Sequence, residues 1–341
     1  MSEFWVELSL ENLALARAEL EGATRALEGS GRLPDPIHPL PREVVALDLG
    51  RRETAIALAS RLALGRRVLE PWPEDTLPEV GARFEREGST GATAALRPFG
   101  RPRSRLGEGA LDRAAEAYRA GGGRIDLDEP ARRFFLWRES ESRLRVCEER
   151  AVVDRNSFAR RRMPTLPFRR PVSLPPKLGR VAVNLAAVRP GDHVIDPFVG
   201  TGALLVEAAL VGGRVSGVDR DAAMIRGAIQ NFAHLGLEFA SLRVADAEEA
   251  ARQYLGEPLD ALVTDPPYGR SSGSDGEVPE ELLQRTLPRW GERIRPGGRM
   301  VVVLPGGPDP VGPPWVRVAS IPDRVHRSLT REFRVYERAG Q

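Results

Sequence analysis

The 341-residue chain holds one cysteine, one lysine and four histidines. It also has no apolar run of roughly 18 residues or more, so a transmembrane helix is not expected. The lone Cys147 excludes an internal disulfide and a cysteine-built zinc cage, and it fits a reducing, cytoplasmic setting. On a strand it reads as a structural thiol rather than a nucleophile. Met1-Ser2-Glu3-Phe4-Trp5 lacks a basic segment followed by an apolar one, so no secretion signal is expected. The scattered histidines show no ligand spacing, and no metal is expected. Arginine carries nearly all the positive charge, a bias that a GC-rich genome by itself produces. It leaves Lys177 as the exception.

The length allows two or three domains, each with its own core. Apolar content of 41% and charged content of 29% are those of an ordinary globular protein. The net charge of +2 says nothing about nucleic acid, but its distribution does. Residues 97–105 carry Arg97, Arg101, Arg103 and Arg105 with no acid. Residues 155–170 carry Arg155, Arg160, Arg161, Arg162, Arg169 and Arg170, again with no acid. Guanidinium clusters neutralise phosphates, so two such stretches predict nucleic-acid contact; solvated basic loops are the alternative. Phe158 and Phe168 could stack on bases or serve local packing.

Residues 4–8 alternate as a strand, and 11–27 follow with helical period through Leu13, Ala16, Leu20, Ala23 and Leu27. A Gly/Pro-rich loop (29–41) separates them from a strand at 44–49 and a helix at 54–64. Pro71, Pro73 and Pro78 mark a boundary. A strand at 92–96, a helix at 109–120 stopped by Gly121-Gly122-Gly123, and strands at 125–127, 132–138 and 143–148 come next. From Ser173 the pattern becomes regular alternation. Helices are predicted at 175–188, 202–211, 222–234, 248–254 and 280–293. Strands are predicted at 193–195, 215–218, 240–244, 261–264, 300–304, 315–321 and 329–337. Such alternation gives a doubly wound, mostly parallel seven-stranded sheet.

Ligands in such sheets bind at the carboxyl ends of strands, where this chain concentrates its unusual residues. Asp196-Pro197-Phe198-Val199-Gly200-Thr201-Gly202 turns a strand sharply into a helix. The turn is not the full dinucleotide G-x-G-x-x-G, and no P-loop lysine follows, so pyrophosphate binding is unsupported. A turn headed by a carboxylate suits the cationic amino-acid end of a ligand. Asp219 ends the next strand, where an acid accepts from ribose hydroxyls, and Asp246 ends the one after, within reach of an adenine amino group. Each acid alone could be a cap or turn residue. Three at successive strand ends predict S-adenosyl-L-methionine rather than NAD. In Asp265-Pro266-Pro267-Tyr268 the prolines fix a rigid turn. The Pro266 carbonyl and the Asp265 carboxylate can accept both hydrogens of one exocyclic amino group, and Tyr268 can stack on its base. Accepting those hydrogens restores a nucleophilic nitrogen and aligns it with the methylsulfonium. An ordinary proline turn is the alternative.

These residues carry a family resemblance. Residues 155–337 resemble the THUMP-class tRNA guanosine N2-methyltransferases, most of all the archaeal-type family that modifies guanosine 10. The matching pieces are 173–185, 196–202, Asp265-Pro266-Pro267-Tyr268-Gly269-Arg270-Ser271 and 326–331. Residues 121–130 and the strands after them resemble a THUMP domain, usually found beside a ferredoxin-like unit. The resemblance implies an α/β, Rossmann-like SAM-dependent methyltransferase domain preceded by α+β ferredoxin-like and THUMP domains. The expected boundaries are 1–70 (ferredoxin-like), 71–153 (THUMP), 154–172 (basic linker) and 173–341 (methyltransferase). It also implies Asp265, Pro266, Pro267 and Tyr268 as the catalytic loop, and it puts Pro175 and Lys177 near the cofactor or substrate. The front domains would grip tRNA, the cytoplasmic substrate, with Arg270 and His326 near RNA; a monomer is expected. Ser271–Gly276 is expected to order over bound nucleotide. Val199 departs from the small residue the family often carries. Ribosomal-RNA guanine-N2 or DNA adenine-N6 methylation is the alternative activity, separable by digesting the product to nucleosides. An RNA-binding protein with a relic cofactor fold is the non-enzymatic one, and it predicts no cofactor binding.

Overall fold

The computed structural model describes residues 3–28, 43–73, 76–99, 106, 109–140, 142–162, 165–170, 173–267, 279–327 and 329–340. The chain opens with β1 (Glu3–Leu8), α1 (Leu13–Glu28), β2 (Val44–Asp48), α2 (Arg52–Arg61), β3 (Gly65–Pro71) and α3 (Leu77–Gly88). Then come β4 (Thr93–Pro98), α4 (Ala110–Ala120), β5 (Arg124–Ile125), β6 (Arg132–Arg138), β7 (Leu144–Val152) and the short α5 (Arg155–Ala159). Next are α6 (Pro176–Leu185), β8 (His193–Asp196), α7 (Ala203–Leu210), β9 (Arg214–Asp219), α8 (Ala222–His234), β10 (Ser241–Val244) and α9 (Ala247–Arg252). β11 (Leu259–Thr264), α10 (Pro279–Gly291), β12 (Ile294–Leu304), β13 (Trp315–His326) and β14 (Leu329–Arg338) complete it. Among the described residues no helix is long and apolar enough to cross a membrane.

Two compact units result. Met1–Glu11, Leu33–Ser60 and Gly65–Val153 form the first; Asn12–Arg32, Arg61–Leu64 and Asp154–Gln341 form the second. The first holds a seven-stranded sheet in the order β2-β1-β3-β7-β6-β4-β5, in which β4 pairs parallel with β5 and with β6 and the other pairings are antiparallel. Two of its elements, β3 and α3, were not predicted, because Pro71, Pro73 and Pro78 read as breakers. Pro71 is the last residue of β3, and Pro78 sits in the first turn of α3, where its missing N–H costs nothing. Glu79 holds that turn by accepting from the Thr76 hydroxyl at 2.7 Å. Val80 and Phe84 then face a core of Trp72, Tyr118, Phe134 and Leu136. Cys147 is fully buried, and burial pushes its thiol up, so it stays protonated as a structural residue.

The second unit's sheet has the order β10-β9-β8-β11-β12-β14-β13. The first five strands are parallel, and the β13–β14 hairpin adds an antiparallel edge. Met300–Leu304 is buried without interruption, as a parallel strand covered on both faces requires. β12 starts at Ile294, earlier than predicted. Pro296-Gly297-Gly298 forms an irregularity in the β11–β12 pairing, with Gly297 at φ +76°. Trp290, Leu287 and Leu283 of α10 pack with Leu262, Met300 and Val302 of the sheet. The chain leaves β8 for β9 and β10 on one side, then returns to lay β11 on the other. The crevice between β8 and β11 is thus the topological switch point, the ligand position in open α/β sheets.

α1 belongs to this unit through close packing on α6. A Cβ on Gly22 would lie 2.1 Å from the Asn184 carbonyl oxygen. Glu19 of α1 accepts from the Ala63 and Leu64 N–H groups, each at 2.7 Å, and from the Asn184 amide at 2.9 Å. Arg61 donates to Asn184 Oδ1 at 2.8 Å. These buried polar groups satisfy one another and so fix α6, the helix that follows Pro175.

Candidate functional site

Asp196 closes β8 with only 1% of its surface exposed. Its Oδ1 accepts from the Phe198 N–H at 3.0 Å and from the Thr264 hydroxyl at 2.7 Å. Thr264 is the last residue of β11, so this bond ties the turn after β8 to the residue just before Asp265. Burial lifts the Asp196 carboxyl to about 7; the Phe198 and Thr264 donors oppose the rise, and the neighbouring Asp219 and Asp265 charges add to it.

Asp219 closes β9 and holds the glycine turn from the other side. Its Oδ2 accepts from the Gly200 N–H at 2.8 Å, and its Oδ1 from the Asp221 N–H at 2.9 Å. Burial raises its carboxyl as well. The turn uses backbone that only glycine adopts readily: Gly200 lies at φ +52° and Gly202, the cap of α7, at φ +82°. A Cβ on Gly202 would also meet the Ala228 Cβ at 3.1 Å. Asp246 is exposed and caps α9, accepting from Glu248 and Glu249 N–H groups at 2.9 and 3.0 Å.

Phe198 is half-buried against the sheet core, and Thr201 is buried. Pro175 is the exposed cap of α6, and Lys177 sits half-buried in its first turn. Pro266 is buried, with Asp265 and Pro267 half-exposed beside it. Tyr268, Arg270, the 271–276 loop, Arg101, Arg103 and Arg105 lie outside the described residues. In the first unit Arg97 is exposed and donates to the Leu127 carbonyl at 2.7 Å. His326 is exposed at the end of β13, paired across the hairpin with Leu329.

The basic stretch 155–170 divides. Arg160 is exposed and pairs loosely with Asp154 at 3.3 Å, and Arg162 is exposed. Arg161, expected on the RNA-facing patch, turns inward instead. It grips the buried Glu207 of α7 through Nε at 2.8 Å and Nη2 at 3.2 Å, and donates to the Ser157 carbonyl at 2.8 Å. Glu207 also takes Arg180 at 2.9 Å. A carboxylate this buried requires such partners, and they occupy the guanidinium that the sequence assigned to phosphate. The two phenylalanines serve local packing: Phe158 is buried beneath Arg161 and Arg180, and Phe168 lies against Gly227 with Arg170 over its ring.

Two supporting residues were not picked out from sequence. Thr264 carries no signal beyond its place before Asp265. Asn231, fully buried on α8, exchanges two hydrogen bonds with the Phe168 backbone (3.0 and 3.1 Å) and donates to the Thr201 carbonyl at 3.0 Å. An asparagine on the buried face of a helical pattern is the signal that could have found it.

Carboxylates gathered at adjacent strand ends, one of them lifted by burial to about 7, form a crevice that a cationic ligand with ribose hydroxyls would complement. S-adenosylmethionine, bearing a sulfonium and an ammonium, fits that donor set. Fold and site together define an open, doubly wound α/β unit with an acid-lined crevice at its switch point. Residues 165–311 match the model of the RMKL-like methyltransferase domain, UPF0020. The chain is similar to the tRNA (guanine(10)-N2)-dimethyltransferase of Methanothermobacter thermautotrophicus, 35% identical over 63% of this chain and 64% of that protein. It is similar also to the Pyrococcus abyssi protein of the same name, 31% identical over 63% and 64%. The chain thus spans about 64% of the length of these curated relatives. The crystal structure of TrmN from Thermus thermophilus shares the fold, with a TM-score of 0.50 and 21% identity over 98% of this chain and 99% of that one.

Proposed function

We propose that the protein transfers a methyl group from S-adenosylmethionine to the N2 amino group of a guanosine in tRNA, with position 10 favoured over position 6 of the acceptor stem. The observation that carries this is Asp265-Pro266-Pro267 at the end of β11, joined through Thr264 to the buried acid of the glycine turn on β8. The names of the relatives at 31–35% identity support tRNA and guanine-N2. On this reading residues 1–70 are a ferredoxin-like domain, 71–153 a THUMP domain, 154–172 a basic linker and 173–341 the methyltransferase domain of a cytoplasmic monomer.

When bound, the cofactor supplies an electrophilic methyl group on a cationic sulfur. Asp219 accepts from ribose hydroxyls and Asp246 from the adenine amino group. Asp196, Phe198, Gly200, Thr201, Gly202, Pro175 and Lys177 surround the amino-acid end. The Asp265 carboxylate and the Pro266 carbonyl hold the two amino hydrogens of guanine, which localises the nitrogen lone pair, and Tyr268 stacks on the base. Asp265 receives the proton that the amine loses, directly or through water. Arg97, Arg160, Arg162, Arg270 and His326 hold RNA.

Incubation of unmodified tRNA with labelled cofactor, followed by digestion to nucleosides, is expected to yield N2-methylated guanosine. Asp265→Ala should lower the rate by about 10²-fold or more while calorimetric cofactor affinity stays unchanged. Retained methylation in the variant, or N6-methyladenosine as the product, would overturn the proposal.

A further inference from the structure

Beside the glycine turn lies a cavity that shares Pro175 and Thr201 with the proposed cofactor site and is otherwise lined by residues that the cofactor reading does not use. It encloses about 360 Å³, within the range of roughly 300–1,000 Å³ that ligand sites occupy. Arg161, Arg162, Leu166, Phe168 and Arg169 line it together with Ser173–Pro176 and α7. Thr201, between Gly200 and Gly202, belongs both to this cleft and to the cofactor turn. The Ser173 and Thr201 hydroxyls meet there at 3.0 Å.

The charge balance of the cleft is decided by Glu207, the acid in its lining. Arg161 and Arg180 already neutralise that carboxylate with two guanidiniums. Arg162 and Arg169 also line the cleft, both exposed, and neither is paired with a carboxylate among the described residues. The cleft is therefore net positive, with two guanidiniums available beside two hydroxyls. Its position is held firmly, because Asn231 bonds both the Phe168 backbone and the Thr201 carbonyl.

We infer that this cleft binds a phosphodiester of the RNA strand next to the target nucleotide, with Arg162 and Arg169 as its clamp. The inference rests on the proposal that RNA is the substrate. Two exposed arginines, two hydroxyls and apolar lining from Leu166 and Val206 suit a sugar–phosphate unit. A phosphate seated against Thr201 touches the turn that holds the cofactor, so binding there sets the reach of the flanking nucleotide into the crevice.

The test uses the full-length protein, an unmodified tRNA transcript and S-adenosylmethionine. Tenfold or greater loss of tRNA affinity is expected for Arg162→Ala/Arg169→Ala, with the slope of log affinity against log salt shallower by about 1 to 2. The double lysine variant should recover most of that slope, since lysine also neutralises a phosphate. Cofactor affinity and thermal unfolding should stay at wild-type values, because both side chains are exposed. Unchanged tRNA affinity and salt slope in the double alanine variant would overturn the inference. So would a selective loss of cofactor affinity, which would give the cleft to the amino-acid end of the cofactor. Failure of the wild-type protein to bind tRNA at all would instead count against the proposed function.

Discussion

Replacing Asp196 by Asn tests the electrostatics of the crevice most directly. An ordinary aspartate titrates near 3.8, and in the fold Asp196 titrates at about 7. Its proton is therefore held more tightly in the folded state. Between these values the unfolded chain has already lost the proton that the native state keeps, so rising pH favours unfolding across that window. Above about 7 both states are ionised and the contribution is constant. The shift corresponds to a cost of about 4 kcal/mol for the ionised native state. Asparagine keeps the oxygen that accepts from Phe198 and Thr264 but cannot ionise. The variant should exceed wild type by roughly 2 kcal/mol near pH 5 and by up to about 4 kcal/mol above pH 7. With the unfolding entropy of a domain this size, the larger gap is a rise in Tm of roughly 8 °C or more. Thermal unfolding of both proteins from pH 5 to pH 8.5 reads the difference. Glu19, whose partners do not include Asp196, titrates alike in both proteins and cancels. A stability gap that does not change with pH, or a variant less stable than wild type at pH 8.5, would refute the assignment. Because a cationic cofactor favours the carboxylate, its affinity for wild type should rise with pH up to about 7, and this rise should be absent in the variant.

Other substitutions probe the supports. Glu207→Ala leaves Arg180 buried without its carboxylate and should cost about 3–5 kcal/mol in urea unfolding; a loss below about 1 kcal/mol would contradict the buried triad. Gly227→Ala would put a Cβ 2.1 Å from the Phe168 ring, and a net loss of about 1–3 kcal/mol is expected. In a Phe168→Ala background the same change should turn stabilising by up to about 1 kcal/mol, since alanine is the better helix former; equal effects in both backgrounds would show that the ring is not what Gly227 accommodates. Gly202→Ala must hold an L-residue at φ +82°, at a cost of about 1–2 kcal/mol, and calorimetry should show weakened cofactor binding.

Much of the second unit was legible beforehand. β8, β9 and β11 are apolar runs that end in an acid or run straight into one, and a buried parallel strand has to be such a run. Its crossover helices carry their own period and glycine stops. The first unit was less legible around Pro71 and Pro78, because a proline at a strand end or in a first helical turn has the same letter as one that breaks an element. The assignment of α1 to the second unit was not legible either. The close approach of Gly22 to Asn184, the bonds of Glu19 to residues 63, 64 and 184 and the Arg25–Glu337 ion pair reveal it.

By itself the sequence determined the chemistry on offer: carboxylates at strand ends, two glycines where the backbone must turn, a rigid Asp-Pro-Pro turn and a guanidinium-rich stretch. Those depend on residue type and on short spacings, which the chain carries locally. Tertiary structure decided which of them meet and in what state. Strand order laid β11 against β8, so that Thr264 bonds Asp196. Burial beside Asp219 and Asp265 set the protonation of Asp196, and the buried Glu207 drew Arg161 inward while Arg162 stayed exposed. Neighbours in space fix desolvation and charge pairing, and those neighbours lie about 20 to 70 positions apart along the chain.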